Sequence, residues 1–131
     1  VSKEVADRII SEHNSSKYGR LTILANWKLS IRKIMDIKPS SFSPKPKIDS
    51  TLLFFSPKKK FFEIENPYNL EKITRIFFNH RRKMIKKPFN QLYNGNTDII
   101  KKLNIDLNLR PQNLDLNTYY KLVEEYEKLR G

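Results

Sequence analysis

Apolar positions recur along this chain in two alternating rhythms, and the rhythm changes mark its elements. Val5, Ala6, Ile9 and Ile10 fall at helical spacing and predict an amphipathic helix over residues ~3–12, closed by the polar run His13-Asn14-Ser15-Ser16. Gly19 marks a turn, and Leu21, Leu24 and Ala25 with Trp27 predict a second short helix. Then come two short runs rich in branched and aromatic residues, Ile31–Ile37 and Thr51–Ser56, which predict an antiparallel strand pair. Beyond Pro57-Lys58-Lys59-Lys60, a polar hinge, the spacing returns to helical. Leu70, Ile73 and Phe77 open a helix with Asn69 as its expected N-cap; Arg81 to Lys87 continues it or starts another, and Pro88 is expected to stop the run. A turn at Asn94-Gly95-Asn96 precedes a short helix over Asp98–Leu103, and Asp115 is placed to cap a last helix with Tyr119, Leu122, Val123, Tyr126 and Leu129 on its apolar stripe.

Between the two strand runs, Lys38–Ser50 carries three prolines, Pro39, Pro44 and Pro46, which fix φ and remove backbone donors. The segment therefore reads as a stiff extended loop. Phe42 sits within it, with Lys45 and Lys47 close by in sequence. An aromatic ring held rigidly beside cations suits the stacking of an unpaired base next to a phosphate chain. Two other readings stand at this point: a plain connector whose Phe42 tucks into the core, and an extended polyproline ligand for an SH3-like domain.

Charge sharpens this picture. The 131 residues carry 26 Lys and Arg against 14 Asp and Glu, a net charge of +12, which favours polyanionic partners. From Lys72 to Thr97 there is no carboxylate, while Arg75, Arg81, Arg82, Lys83, Lys86 and Lys87 all fall there. On a continuous helix Arg75, Arg82 and Lys86 share one face. Arg81 flanks that face, either as a further RNA contact or as a structural pin between helices. There is no cysteine, hence no disulfide or thiolate metal site, and His13 has no partner that would make a metal ligand set. No apolar run approaches the length of a membrane span.

Several motifs resemble one family. Phe42-Ser43-Pro44-Lys45-Pro46-Lys47-Ile48-Asp49-Ser50 is similar to the F-x-P-x-P-K-V-D-S loop of small-subunit ribosomal RNA adenine N6,N6-dimethyltransferases of the KsgA type. Lys3-Glu4-Val5-Ala6-Asp7-Arg8 resembles that family's Q-K-E-V-A-x-R, Tyr18-Gly19-Arg20-Leu21 its Y-G-R-L, and Phe78-Asn79-His80-Arg81-Arg82-Lys83 its F-N-Q-R-R-K. Arg110-Pro111-Gln112-Asn113-Leu114 resembles its R-x-E-x-L. Ser2, His80 and Gln112 depart from the pattern, and Lys87-Pro88 interrupts the usual helix.

The resemblance implies an α+β fragment: residues 1–57 as the end of a class I (Rossmann-like) methyltransferase core, helices plus an antiparallel hairpin with the target-base loop, and residues 58–131 as a small all-helical rRNA-binding domain. It implies methyl transfer from S-adenosylmethionine to two adjacent adenines near the 3′ end of small-subunit rRNA, with Phe42 clamping the flipped base rather than moving protons. Lys45, Lys47, Arg75, Arg81, Arg82, Lys83, Lys86 and Lys87 are the expected RNA contacts, and the 30S precursor particle is the expected partner. The cofactor's glycine-rich turn is absent, since Gly19, Gly95 and Gly131 are the only glycines. The chain is thus expected to be a C-terminal half, inactive alone, from a cytoplasmic and monomeric parent with no metal, and its exposed sheet edge is expected to allow self-association. The alternatives are a non-catalytic basic RNA-binding module and a large-subunit rRNA methyltransferase of the antibiotic-resistance type.

Overall fold

The first helix, α1 (Lys3–Ile10), forms as its spacing predicts: Ser2 caps it by accepting from the Val5 amide at 3.2 Å, and Ala6 and Ile9 are buried. The structure, a computed structural model, describes residues 1–41, 43–44 and 47–131. Helix α2 (Arg20–Ala25) starts where the Thr22 hydroxyl accepts from the Gly19 amide at 3.1 Å. The hairpin follows as β1 (Leu29–Ile37) and β2 (Ser50–Pro57), antiparallel, in register from Leu29 opposite Pro57 to Ile37 opposite Ser50. Ile34 is the extra residue of a bulge between Lys33 and Met35, which twists the strand locally. The first three residues join this sheet: the Lys3 amide donates to the Asp49 carbonyl at 2.9 Å and the Thr51 amide to the Val1 carbonyl at 2.8 Å. Ile34, Met35, Leu52, Phe54 and Phe55 of the hairpin remain exposed.

All regular structure after Pro57 is helical: α3 (Pro67–Phe78), α4 (Lys86–Tyr93), α5 (Thr97–Leu103) and α6 (Leu116–Arg130). Two expectations require correction here. Asn66, not Asn69, caps α3, because Pro67 occupies the first helical position, where a missing N–H costs nothing. Asn69 instead donates its side-chain amide to the Glu127 carboxylate at 2.7 Å. Pro88 does not end a helix either; it lies in the first turn of α4, where the helix has no partner for an N–H. Asp115 does cap α6, accepting from the Thr118 amide at 2.8 Å, and Tyr119, Leu122, Val123 and Tyr126 are buried beneath it.

The hydrophobic core joins early and late segments. Tyr18, Ile23 and Trp27 belong to one buried cluster with Leu70, Ile73, Phe77, Tyr119 and Val123. Polar ties fix this packing: the Tyr120 hydroxyl donates to the Ile23 carbonyl at 2.7 Å, and the Trp27 indole to the Phe62 carbonyl at 2.7 Å. The lysine run after β2 is tied as well, since the Lys58 amide donates to the Lys28 carbonyl at 2.8 Å. The overall α+β class, two helices and a hairpin followed by an all-helical remainder, agrees with the sequence reading.

Candidate nucleic-acid interface

The carboxylate-free basic window folds into two helices and a turn rather than one helix. α3 ends at Phe78, and Asn79–Ile85 turns the chain before α4 begins. Both ends of this turn are anchored. At its start, the Arg81 guanidinium donates to the carbonyls of Ser15 at 3.3 Å and Ser16 at 2.9 Å, and lies 5.7 Å from the Phe78 ring. A Cβ on Gly19 would come within 3.3 Å of Arg81 Nη1, so the glycine of the Y-G-R-L segment leaves room for that side chain. At the other end Ile85 is fully buried and its amide donates to the Leu109 carbonyl at 2.8 Å. After the bend Ile85 joins the core.

Arg82, Lys83 and Met84, held between these anchors, are all exposed. Arg75, Arg82 and Lys86 therefore do not form the expected single helical stripe. They are shared between two grooves instead. One, of 480 Å³, is lined by Arg75, His80, Lys83, Lys87 and neighbouring apolar atoms. The other, of 840 Å³, is lined by Arg82, Lys83, Lys86, Lys87, Asn108 and Arg110 among others. Lys83, Met84 and Lys87 form the ridge common to both, and neither groove has a carboxylate in its lining.

The start of α4 adds to this polarity. No side chain caps it, and no acidic residue stands in its first turn. Lys86 and Lys87 instead place positive charge at the positive end of the helix dipole, a locally unfavourable arrangement that a bound anion relieves. Asn108 and Arg110 were not anticipated as lining residues. Their segment packs beside the turn through the Ile85–Leu109 bond, a long-range contact with no periodicity to announce it.

Of the loop residues, Lys47 is exposed, while Phe42 and Lys45 lie outside the described residues. The base of the loop is braced by Asp36, whose carboxylate accepts from Lys33 Nζ at 2.7 Å and from the Thr51 hydroxyl at 2.8 Å. These two bonds, Lys33's first, hold the Asp36 carboxyl below its ordinary range. Among the described residues no cluster of His, Cys, Asp or Glu is arranged for a metal ion, and no helix is long and apolar enough to cross a membrane.

The arrangement of hairpin and helices is that of a methyltransferase fold. A dimethyladenosine transferase from Plasmodium falciparum superposes with a TM-score of 0.81 at 28% identity, covering 97% of this chain and 55% of that one. The 23S rRNA methyltransferase ErmE shares the fold, with a TM-score of 0.63 at 15% identity over 96% of this chain and 52% of that one. The chain belongs to the ribosomal RNA adenine dimethylase family, whose model matches residues 1–128. It is 66% identical over 129 residues to the ribosomal RNA small subunit methyltransferase A of Pelagibacter ubique (strain HTCC1062), covering 98% of this chain and 49% of that protein. The protein of the same name from Ehrlichia ruminantium (strain Gardel) is 42% identical over 119 residues, 89% of this chain and 45% of that one. The chain thus spans about half the length of the curated relatives it matches.

Proposed function

We propose that this chain is the C-terminal half of a cytoplasmic, monomeric rRNA adenine N6,N6-dimethyltransferase that acts on two adjacent adenines near the 3′ end of small-subunit rRNA during ribosome assembly. Residues 1–57 complete the methyltransferase core and carry the loop that meets the target base; residues 58–131 hold the 30S precursor particle. The observation that carries this reading is the basic turn: in a chain of this family, Arg82 and Lys83 are exposed between two anchors, the half-buried Arg81 and the buried Ile85, and flanked by Lys86 and Lys87. Rigid presentation lowers the entropic cost of gripping a phosphate chain. Arg75 contributes from the neighbouring groove, and Lys45 and Lys47 from the loop. Arg81, whose guanidinium serves the Ser15 and Ser16 carbonyls, acts by holding the turn in place.

S-adenosylmethionine supplies the methyl group when bound, but its cradle lies outside these residues. Gly19, Gly95 and Gly131 are far apart in sequence, and none follows a strand as a phosphate- or nucleoside-cradling turn must. The 131 residues alone are accordingly inactive. Within them Phe42 orients the extruded adenine by stacking, while exocyclic-nitrogen chemistry is left to groups elsewhere.

Two measurements test the assignment. Arg82→Glu with Lys86→Glu weakens binding to 30S particles and flattens its dependence on salt; an unaltered slope removes the phosphate contact from the model of function. Phe42→Ala in the full-length enzyme abolishes most turnover and leaves rRNA affinity nearly unchanged, and undiminished methyl transfer would refute the stacking role.

A further inference from the structure

We propose that the pocket beside Phe61 receives one unpaired nucleotide of single-stranded RNA, at a second contact separate from the basic turn. The proposal rests on the RNA-binding reading above and extends it to residues that none of the family-like motifs includes. Phe61 is 39% exposed, a large apolar ring kept at the surface. It is held firmly there. Trp27 meets it edge-to-face, with ring centroids 6.1 Å apart, and the indole is itself fixed by its bond to the Phe62 carbonyl. The Lys28 ammonium lies 4.4 Å from the Trp27 centroid and 5.1 Å from that of Phe61.

The adjoining pocket, 410 Å³, is lined by Phe61, Lys58, Lys60, Phe62, Asn117 and Tyr120 with Trp27, and by no carboxylate. Lys59 and Lys60 are exposed and form no ion pair among the described residues. Each part suits one portion of a nucleotide. The Phe61 ring takes the base, the Asn117 amide can both donate to and accept from a base edge, and Lys60 in the lining, with Lys28 beside the rings and Lys59 next in sequence, supplies the positive charge for the phosphate. An apolar partner would strip water from these ammonium groups without pairing them. An acidic peptide would satisfy the charge but leave the aromatic face without a flat partner.

Trp27 is the only tryptophan in the chain, so its fluorescence reports on this pocket alone. The experiment titrates the chain with a short single-stranded RNA of mixed sequence, following tryptophan emission and, separately, the anisotropy of the labelled RNA. The expected result is saturable quenching of Trp27, with affinity reduced about tenfold in Phe61→Ala. The surface position of Phe61 keeps that variant folded, and Lys59→Glu with Lys60→Glu provides a second, charge-based loss that needs no change in the aromatic cluster. If anisotropy shows binding that Arg82→Glu with Lys86→Glu weakens while Trp27 emission stays flat, the pocket proposal is overturned and the basic-turn reading survives. Quenching that persists in the Arg82→Glu, Lys86→Glu variant supports the pocket, and an overall affinity left unchanged in that variant counts against the turn. Equal quenching by a poly-glutamate peptide overturns the nucleotide assignment.

Discussion

Neighbouring arginines in the turn offer a sharp separation of structural from binding roles. Arg81→Ala removes two charge-assisted hydrogen bonds, to the Ser15 and Ser16 carbonyls, and a ring contact with Phe78. A hydrogen bond involving a charged group contributes about 1.5–3 kcal/mol, and a partly exposed cation–π contact about 0.5–1 kcal/mol. The carbonyls can reach water once the side chain is gone, and the guanidinium is only half-buried, so the net loss falls at about 2–3 kcal/mol. For a chain of this size that lowers the melting temperature by roughly 6–12 °C. Arg82→Ala, one residue on, removes an exposed side chain and changes stability by no more than about 0.5 kcal/mol. Thermal unfolding followed by circular dichroism, alongside RNA-binding isotherms taken well below both midpoints, separates the two. Arg81→Ala is expected to melt early yet bind RNA normally when folded, and Arg82→Ala the reverse. An Arg81→Ala protein that melts like the parent but loses affinity would refute the anchoring argument.

Glu127 closes the helical unit by accepting from the amides of Glu65 and Asn66, each at 3.0 Å, and from the Asn69 side chain. Although partial burial opposes it, these bonds together hold its carboxyl below the ordinary value of 4.5. A depressed folded-state value stabilises above the unfolded pKa and loses that effect as pH falls through the folded one. Glu127→Gln should therefore cost about 1–2 kcal/mol at neutral pH in urea unfolding, a difference that shrinks below pH 4.5; a pH-independent difference would count against the cap. Burial drives the hydroxyls of Tyr18, Tyr93, Tyr119 and Tyr120 well above their ordinary value of 10.0. Raised folded-state values mean that their stabilisation is intact below pH 10 and declines as alkali ionises the unfolded chain first. Phenolate absorbance should then rise together with unfolding; ionisation of these rings in the still-folded chain would contradict their burial. Tyr93→Phe, which deletes a buried bond to the Leu122 carbonyl at 2.6 Å, should lower stability by about 1–2 kcal/mol in the same urea assay.

Much of the fold was legible because its signals are local. Asp115 three residues before Thr118, and apolar spacing from Tyr119 to Tyr126, are properties of consecutive residues, and α6 forms as they predict. The hairpin was found from its composition, with β1 two residues longer at its start and β2 one residue longer at each end than expected. The sequence left open whether Arg81–Lys87 continues α3 or starts another helix, and the place of the break was not legible. Asn79 to Ile85 holds no Gly or Pro; Pro88 bars a helix continuing through Met84, and Ile85 joins a core assembled from distant residues. That same bend converts a predicted basic stripe into a basic ridge between two grooves. The cap of α3 was misplaced by three residues because Asn69 resembles a cap in sequence, while its true partner, Glu127, lies 58 positions away. Trp27 lies just past the end of α2 and is buried, but its pairing with Phe61 and Lys28 depends on tertiary packing and had no signature in the pattern.

Val1, Ser2 and Lys3 lie alongside Asp49, Ser50 and Thr51, at the trailing end of the proline-rich segment. Those few bonds make the chain's opening residues a tether for the loop's trailing stem. A shift of Val1–Lys3 would thus be felt directly at Asp49–Thr51, without any intervening helix to absorb it. The position of Asp49–Thr51 is in this way set by the sheet's borrowed third rung as much as by the hairpin ladder.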